Sequence, residues 1–165
     1  MNKRFHVIHM KKVIRLVVCI LVPLAVGGLS ALITKDNMEI YKAFAKPPLA
    51  PPGWLFPVVW SVLYVLMGIA SFLILERGYE KDYVKDAINF YAIQLILNFL
   101  WPILFFRFRL PFLAFWELVI LWIFAGITTA KFYRIKHAAG FLMLPYWIWL
   151  TFAAYLNLGI WLLNR

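Results

Sequence analysis

The stretch VIRLVVCILVPLAVGGLSALI, Val13 to Ile33, carries one charge, Arg15, near its start and none after it. The hydrocarbon core of a bilayer, about 30 Å thick, takes roughly 20 residues of helix, and this run is long enough to cross it. Four further segments read the same way: Trp54 to Leu75, Ala87 to Phe106, Pro111 to Tyr133, and His137 to Leu163. In lipid every backbone amide must be satisfied within the structure, and the alternating pattern of a barrel strand is missing, so the segments are helices. The expected architecture is all-α, an integral membrane bundle of five transmembrane helices forming one domain over residues 1–165. Outside the spans lie a basic tail, the segment from Thr34 to Gly53, and three short turns. The first span also follows Lys11, Lys12 and Arg15 as a signal peptide would, but it outruns the usual 7–15 apolar residues of a signal core, so a retained helix is expected.

Composition agrees. Of 165 residues 65% are hydrophobic and 15% charged, against about 45–50% and about 25% in a soluble domain. Disorder needs low hydrophobicity and is excluded. Cys19 is the single cysteine, so no internal disulfide or thiolate cluster forms. The net charge of +10 is scattered between apolar runs, not gathered into the stripe a nucleic acid needs, and no nucleic-acid partner is expected. Such charge sets topology. Lys3, Arg4, Lys11, Lys12 and Arg15 in the tail, Arg77, Lys81 and Lys85 in the second loop, and Lys131, Arg134 and Lys136 in the fourth make eleven. Lys35, Lys42, Lys46, Arg107, Arg109 and Arg165 on the other side make six. The amino terminus is therefore expected in the cytoplasm.

No internal repeat divides the spans into inverted halves, and no Gly-rich phosphate loop occurs. Function is expected within the bundle or at its mouth. Lys46 to Trp54 contains four prolines, a stiff strap that is either a rigid helix start or a rim over a pocket. Trp60 and Tyr64 share a face of the second span. Gln94, Asn98, Trp101 and Phe105 share one on the third, and Tyr146, Trp149, Phe152 or Ala153, and Leu156 one on the fifth. Trp54 and Trp161 fit the interfacial aromatic belt. Gln94 and Asn98 are either helix-to-helix glue or polar anchors for a flat, apolar ligand. Glu117 is the acidic residue deep in a span, with no role assigned. Pro102 and Pro145 permit kinks. His6, His9 and His137 lack partners for a metal site, so neither metal nor cofactor is expected. No acid–base or nucleophile–base pair supports conventional hydrolase or transferase chemistry.

Three motifs carry a family resemblance. Pro47 to Trp54 (PPLAPPGW) leads into Pro57 to Gly68 (PVVWSVLYVLMG). Leu97 to Phe106 (LNFLWPILFF) and Leu144 to Asn157 (LPYWIWLTFAAYLN) follow. Together they resemble the TspO/MBR family, the translocator and tryptophan-rich sensory proteins that include the peripheral benzodiazepine receptor. The resemblance implies a five-helix bundle with a pocket roofed by the first loop. It implies binding of porphyrins such as protoporphyrin IX and, in many members, of sterols and benzodiazepine-type ligands. By motif position the pocket would be lined by Trp60, Asn98, Trp101, Phe105, Trp149, Ala153 and Leu156. Trp54, Tyr64 and Tyr146 complete the candidate set. Bacterial relatives are associated with light-dependent porphyrin breakdown, for which Trp60 and Trp149 would be the catalytic candidates.

Two departures limit what carries over. After Leu156-Asn157 the tyrosine of the family's sterol-recognition segment is replaced by Leu158, and the nearest basic residue is Arg165. The small-residue stripe that supports dimer packing in the third span is replaced by Asn89 and Ile93, so a homodimer would either pack differently or not form. The leading expectation is a receptor or sensor that binds porphyrin in an aromatic pocket. The alternatives are light-dependent porphyrin degradation and translocation of porphyrin or sterol. Lys42 and Lys46 are the expected partners of the porphyrin propionates. The short basic tail fits a bacterial plasma membrane.

Overall fold

A computed structural model describes the backbone of residues 2–37 and 39–165 and the side chains of 10–37 and 39–165. The expectations for Lys3, Arg4, His6 and His9 lie outside the described side chains. Helix α1 (Asn2–Thr34) runs into a 3-10 turn (Lys35–Asn37) and the short α2 (Glu39–Ala43). Then follow α3 (Leu55–Leu75), α4 (Asp82–Pro102) with a π-helical turn (Ile103–Arg107), α5 (Pro111–Ile135) and α6 (His137–Leu163). Among the described residues there is no strand. Five helices among the described residues are long and apolar enough to cross a membrane.

Where helix ends differ from the apolar runs, charged residues explain it. α1 starts at Asn2 and α4 at Asp82 because Lys11, Lys12, Lys85 and Asp86 continue a helix beyond the hydrocarbon layer. Hydropathy marks the membrane, not the helix. α5 opens with Pro111 at its first position, where a missing amide hydrogen costs nothing. α5 and α6 are separated by one residue, Lys136, in extended conformation. Gly140 lets α6 lie on the backbone of Tyr133, since a Cβ there would sit 2.6 Å from Tyr133 Cα.

The helices contact in the cyclic order α1, α3, α6, α5, α4 and back to α1. One end of this ring is filled. Met67, Ala70 and Ile74 of α3 meet Val84 and Ala87 of α4, Ala125 and Phe132 of α5, and Ala139 and Met143 of α6, all fully buried. Buried hydroxyls there bond back to their own helices: Ser71 donates to Gly68 O at 2.9 Å and Thr129 to Ala125 O at 2.8 Å. Such bonds satisfy these two hydroxyls within lipid.

The seam between α1 and α3 is tight at this end. Pro23 inside α1 cannot donate to the carbonyl of Cys19. That carbonyl faces Gly68, where an added Cβ would lie 2.7 Å from Cys19 O and 2.5 Å from Ile20 Cα. On the same side Glu76 receives Lys12 at 3.0 Å and Arg15 at 2.9 Å. The hydrogen bond from Lys12, aided by the charge of Arg15, holds the Glu76 carboxyl below its ordinary range.

Candidate functional site

Beyond Pro23 the same seam opens. Gly27 takes the Tyr64 ring against α1, where a Cβ would stand 2.1 Å from Tyr64 Cε2, and Gly28 has nothing within 4 Å. The result is a cavity of about 420 Å³ between α1, α3 and α4. α1 contributes small side chains, Gly27, Gly28, Ser30 and Ala31, with Leu24 and Thr34. α3 contributes Phe56, Pro57, Trp60, Ser61 and Tyr64, and α4 contributes Asn98, Trp101, Pro102 and the adjoining Phe106. Lys35 stands at one end.

The polar floor of the cavity is a directed chain of hydrogen bonds across three helices. Tyr64 OH donates to Asn98 Oδ1 at 2.6 Å, Asn98 Nδ2 donates to Tyr146 OH at 3.1 Å, and Tyr146 OH donates to Gln94 Oε1 at 2.7 Å. Asn98 therefore joins helices and also lines the cavity. One amide hydrogen of Asn98 and a lone pair on Tyr64 are not used by this chain of bonds. Trp60 lies against both tyrosines, with ring centroids 5.4 Å from Tyr64 and 6.1 Å from Tyr146.

A small hollow of about 20 Å³ lies behind Trp101, Phe56 and Phe106, which it shares with the larger cavity. Phe105, Ala153 and Leu156 line it, and Tyr41 of α2 closes it. The π-helical turn after Pro102 aims Phe105 and Phe106 inward; Phe108 N–H donates to Ile103 O at 3.0 Å, one residue beyond α-helical spacing. Trp101 Nε1 donates to Asn157 Oδ1 at 3.1 Å, and Asn157 Nδ2 donates to Pro111 O at 2.7 Å. These bonds tie the dividing wall to α5 and α6.

The sequence-derived residues thus separate into groups. Trp60, Tyr64, Asn98 and Trp101 meet at the large cavity, while Trp101, Phe105, Ala153 and Leu156 meet at the small hollow. Tyr146 is buried behind Asn98. Trp149 lines neither; it packs edge-on to Phe56 at 6.1 Å, and its buried Nε1 has no hydrogen-bond partner among the described residues. Trp54 is 68% exposed and apart from both.

The strap turns back at Leu49 (φ 66°) and docks on the end of α6. Tyr155 OH donates to Pro48 O at 2.8 Å, and Pro47 fills the space beside Gly159. Glu117 is buried, and its carboxyl oxygens have no hydrogen-bond partner among the described residues. No cluster of metal-ligating side chains occurs among the described residues.

Sequence reasoning missed the whole α1 wall. The available signal was the small-residue patch Gly27, Gly28, Ser30, Ala31 in an otherwise bulky span, since small residues mark close approach between membrane helices. A further groove of about 450 Å³ at the opposite end has Arg15 and Glu76 on its wall, already paired with each other.

Fold and site together define an integral membrane helical bundle with a lipophilic cavity of ligand size inside it. A profile of the TspO/MBR family matches residues 19–162. Tryptophan-rich protein TspO of Chlorobaculum tepidum is 39% identical over 155 residues, 93% of this chain and 98% of that protein. Protein CrtK of Rhodobacter capsulatus is 36% identical over 75% of this chain and 78% of its own length. The translocator protein of Ovis aries is 36% identical over 79% and 78% respectively. The chain belongs to the TspO/MBR family.

Proposed function

We propose that this protein is a membrane receptor or sensor that binds protoporphyrin IX or a similar flat lipophile in the cavity between α1, α3 and α4. The observation that carries this reading is the convergence of Trp60, Tyr64, Asn98 and Trp101 on one half-open space. Its volume, about 420 Å³, falls within the range of roughly 300–1,000 Å³ typical of ligand pockets. Indole and phenyl rings offer faces to a macrocycle, and Asn98 and Tyr64 offer a donor and an acceptor within hydrocarbon. The small hollow is too small for such a ligand. Movement of Trp101 and Phe106 would join it to the larger cavity and bring Ala153 and Leu156 into contact.

The test is a titration of purified protein with protoporphyrin IX in the dark, following tryptophan fluorescence. Saturable quenching that is weakened in Trp60→Phe supports the reading. Quenching that rises linearly with porphyrin and is indifferent to Trp60 contradicts it.

Light-dependent porphyrin breakdown is the second reading, favoured by the position of Trp60. An excited porphyrin needs an oxidisable ring beside it, and Trp60 stands on the cavity wall with Tyr64 and Tyr146 behind it. Illumination of the bound complex separates the two. A new absorbance band that depends on native protein and vanishes in Trp60→Phe indicates breakdown, whereas unchanged porphyrin indicates a receptor. In this reading the protein sits in a bacterial plasma membrane with its amino terminus in the cytoplasm, which reporter fusions at Arg165 would test.

A further inference from the structure

The groove at the end opposite the large cavity holds about 450 Å³. Arg15, Val18 and Cys19 form its α1 wall. Leu75 at the end of α3, with Glu76, Gly78, Tyr79 and Glu80 of the turn after it, forms the other. The groove straddles the edge of the hydrocarbon. Val18, Cys19 and Leu75 belong to apolar runs, whereas Arg15 and Glu76 mark where charge resumes at the ends of those runs. Tyr79 suits the interfacial layer between them. Val18 is half exposed, so the α1 wall is open to the layer in which lipid headgroups sit.

The turn brings one carboxylate over this space. Gly78 takes φ 104°, a left-handed value that a side chain disfavours. Its N–H donates to Leu75 O at 3.1 Å, and Lys81 N–H donates to Gly78 O at 3.3 Å. The reversed chain lays Glu80 where a side chain on Gly78 would be: a Cβ there would stand 2.2 Å from Glu80 Oε1. Glu80 makes no ion pair among the described residues. Across the groove Arg15 Nη1 meets Glu76 at 2.9 Å, and the Arg15 side chain is 55% exposed. A guanidinium has further N–H donors beyond that one. Lys12 and Arg15 against Glu76 and Glu80 leave the groove and its clamp without net charge, positive on the α1 side and negative at the turn.

We propose that this groove is a site for one phospholipid whose headgroup is zwitterionic and ends in a primary ammonium. The phosphate accepts from the remaining N–H groups of Arg15, the ammonium donates to the Glu80 carboxylate, and an acyl chain runs into the hydrocarbon along Val18. Both polar contacts are charge-assisted. The order of charges across the groove matches that headgroup and no other common one as well. A headgroup of net negative charge meets the repulsion of Glu80. A quaternary ammonium carries the charge but has no N–H to donate. The contacts lie at the membrane surface and are partly screened, so the preference is modest and falls with salt. A lipid held in this way bridges α1 to the turn between α3 and α4, beside the Glu76 clamp.

The test is native mass spectrometry of the full chain released from mixed micelles. These hold equal amounts of phosphatidylethanolamine, phosphatidylcholine and phosphatidylglycerol with the same acyl chains. Native protein is expected to retain the ethanolamine lipid about two- to fivefold over the choline lipid, and over the glycerol lipid by at least as much. Glu80→Gln is expected to bring the ethanolamine lipid down to the level of the choline lipid while Tm stays unchanged. Asp36→Asn removes an exposed carboxylate beyond the other end of α1; it is the control for general surface charge and is expected to keep the full preference. Equal retention of the three lipids by native protein, or a preference for the glycerol lipid, would overturn the proposal. A preference that survives Glu80→Gln would overturn it too, because Glu80 would then read nothing. Equal loss in Asp36→Asn would overturn it by showing a diffuse effect of charge.

Discussion

The two halves of the seam between α1 and α3 use the same device, a glycine, to opposite ends. Gly68 lets the α1 backbone come within van der Waals range of α3, beside the Cys19 carbonyl that Pro23 leaves without its helical donor. Gly28, about two turns further along α1, does the reverse: it withholds a side chain from a space that α3 and α4 line with rings, while Gly27 beside it takes the Tyr64 ring. Close approach at one end and an open wall at the other both take the form of small residues, and only the facing helix distinguishes them. Packing is tight where Gly68 sits, and the proposed binding space opens where Gly28 sits.

Substitutions at these glycines should therefore separate the two properties. Gly68→Ala is expected to have the largest effect on stability. Its Cβ would meet backbone atoms of Cys19 and Ile20, which cannot swing aside. Overpacking of this kind costs about 1–3 kcal/mol, to be read as a lowered Tm in detergent. An unchanged Tm would show that the seam is loose.

Gly27→Ala is expected to act chiefly on binding. The Tyr64 ring tip must move away, which breaks its bond to Asn98. A net loss of about 1 kcal/mol should weaken porphyrin about fivefold with a smaller change in Tm.

Gly28→Leu sharpens the contrast further. With nothing within 4 Å of the site, the new side chain fills the cavity without collision. Porphyrin affinity should fall while Tm holds or rises slightly, because glycine is a weak helix former. A fall in Tm without a fall in affinity would place the ligand elsewhere.

The smallest effect concerns the clamp that holds the tight end. Glu76 bonds Lys12 and Arg15, and its carboxyl titrates below the ordinary value. A depressed folded pKa contributes stability that is complete above the unfolded value of about 4.3. That stability is lost as pH falls through the lower folded value. Native protein should thus lose Tm on acidification below about pH 4 more steeply than Glu76→Gln, and parallel curves would mean that the clamp carries no weight.

How much of this was legible differs between fold and site. The span from His137 to Leu163 coincides with α6 because an uninterrupted apolar run has one way to cross a bilayer. The start of α4 at Asp82 was hidden because charged residues carry helix beyond the lipid. In the site, Trp60, Tyr64, Asn98 and Trp101 were legible because polar and aromatic side chains at helical spacing within a span need a reason to be there. The α1 wall was not, since Gly27, Gly28 and Ala31 act by what they lack. The division of the family positions between two hollows was equally hidden, because it depends on the π-helical turn after Pro102 and on the rotamers of Trp101 and Phe106. Trp149 shares a helix face with Ala153 and Leu156, yet packs on Phe56 outside both spaces.

The most direct test of the account is an experimental structure of the protein with protoporphyrin IX bound. The account predicts ligand density between α1, α3 and α4, against Trp60 and Trp101 and beside Gly27 and Gly28. Density confined to the lipid-facing surface, or lying on the far side of the bundle from α1, would contradict it.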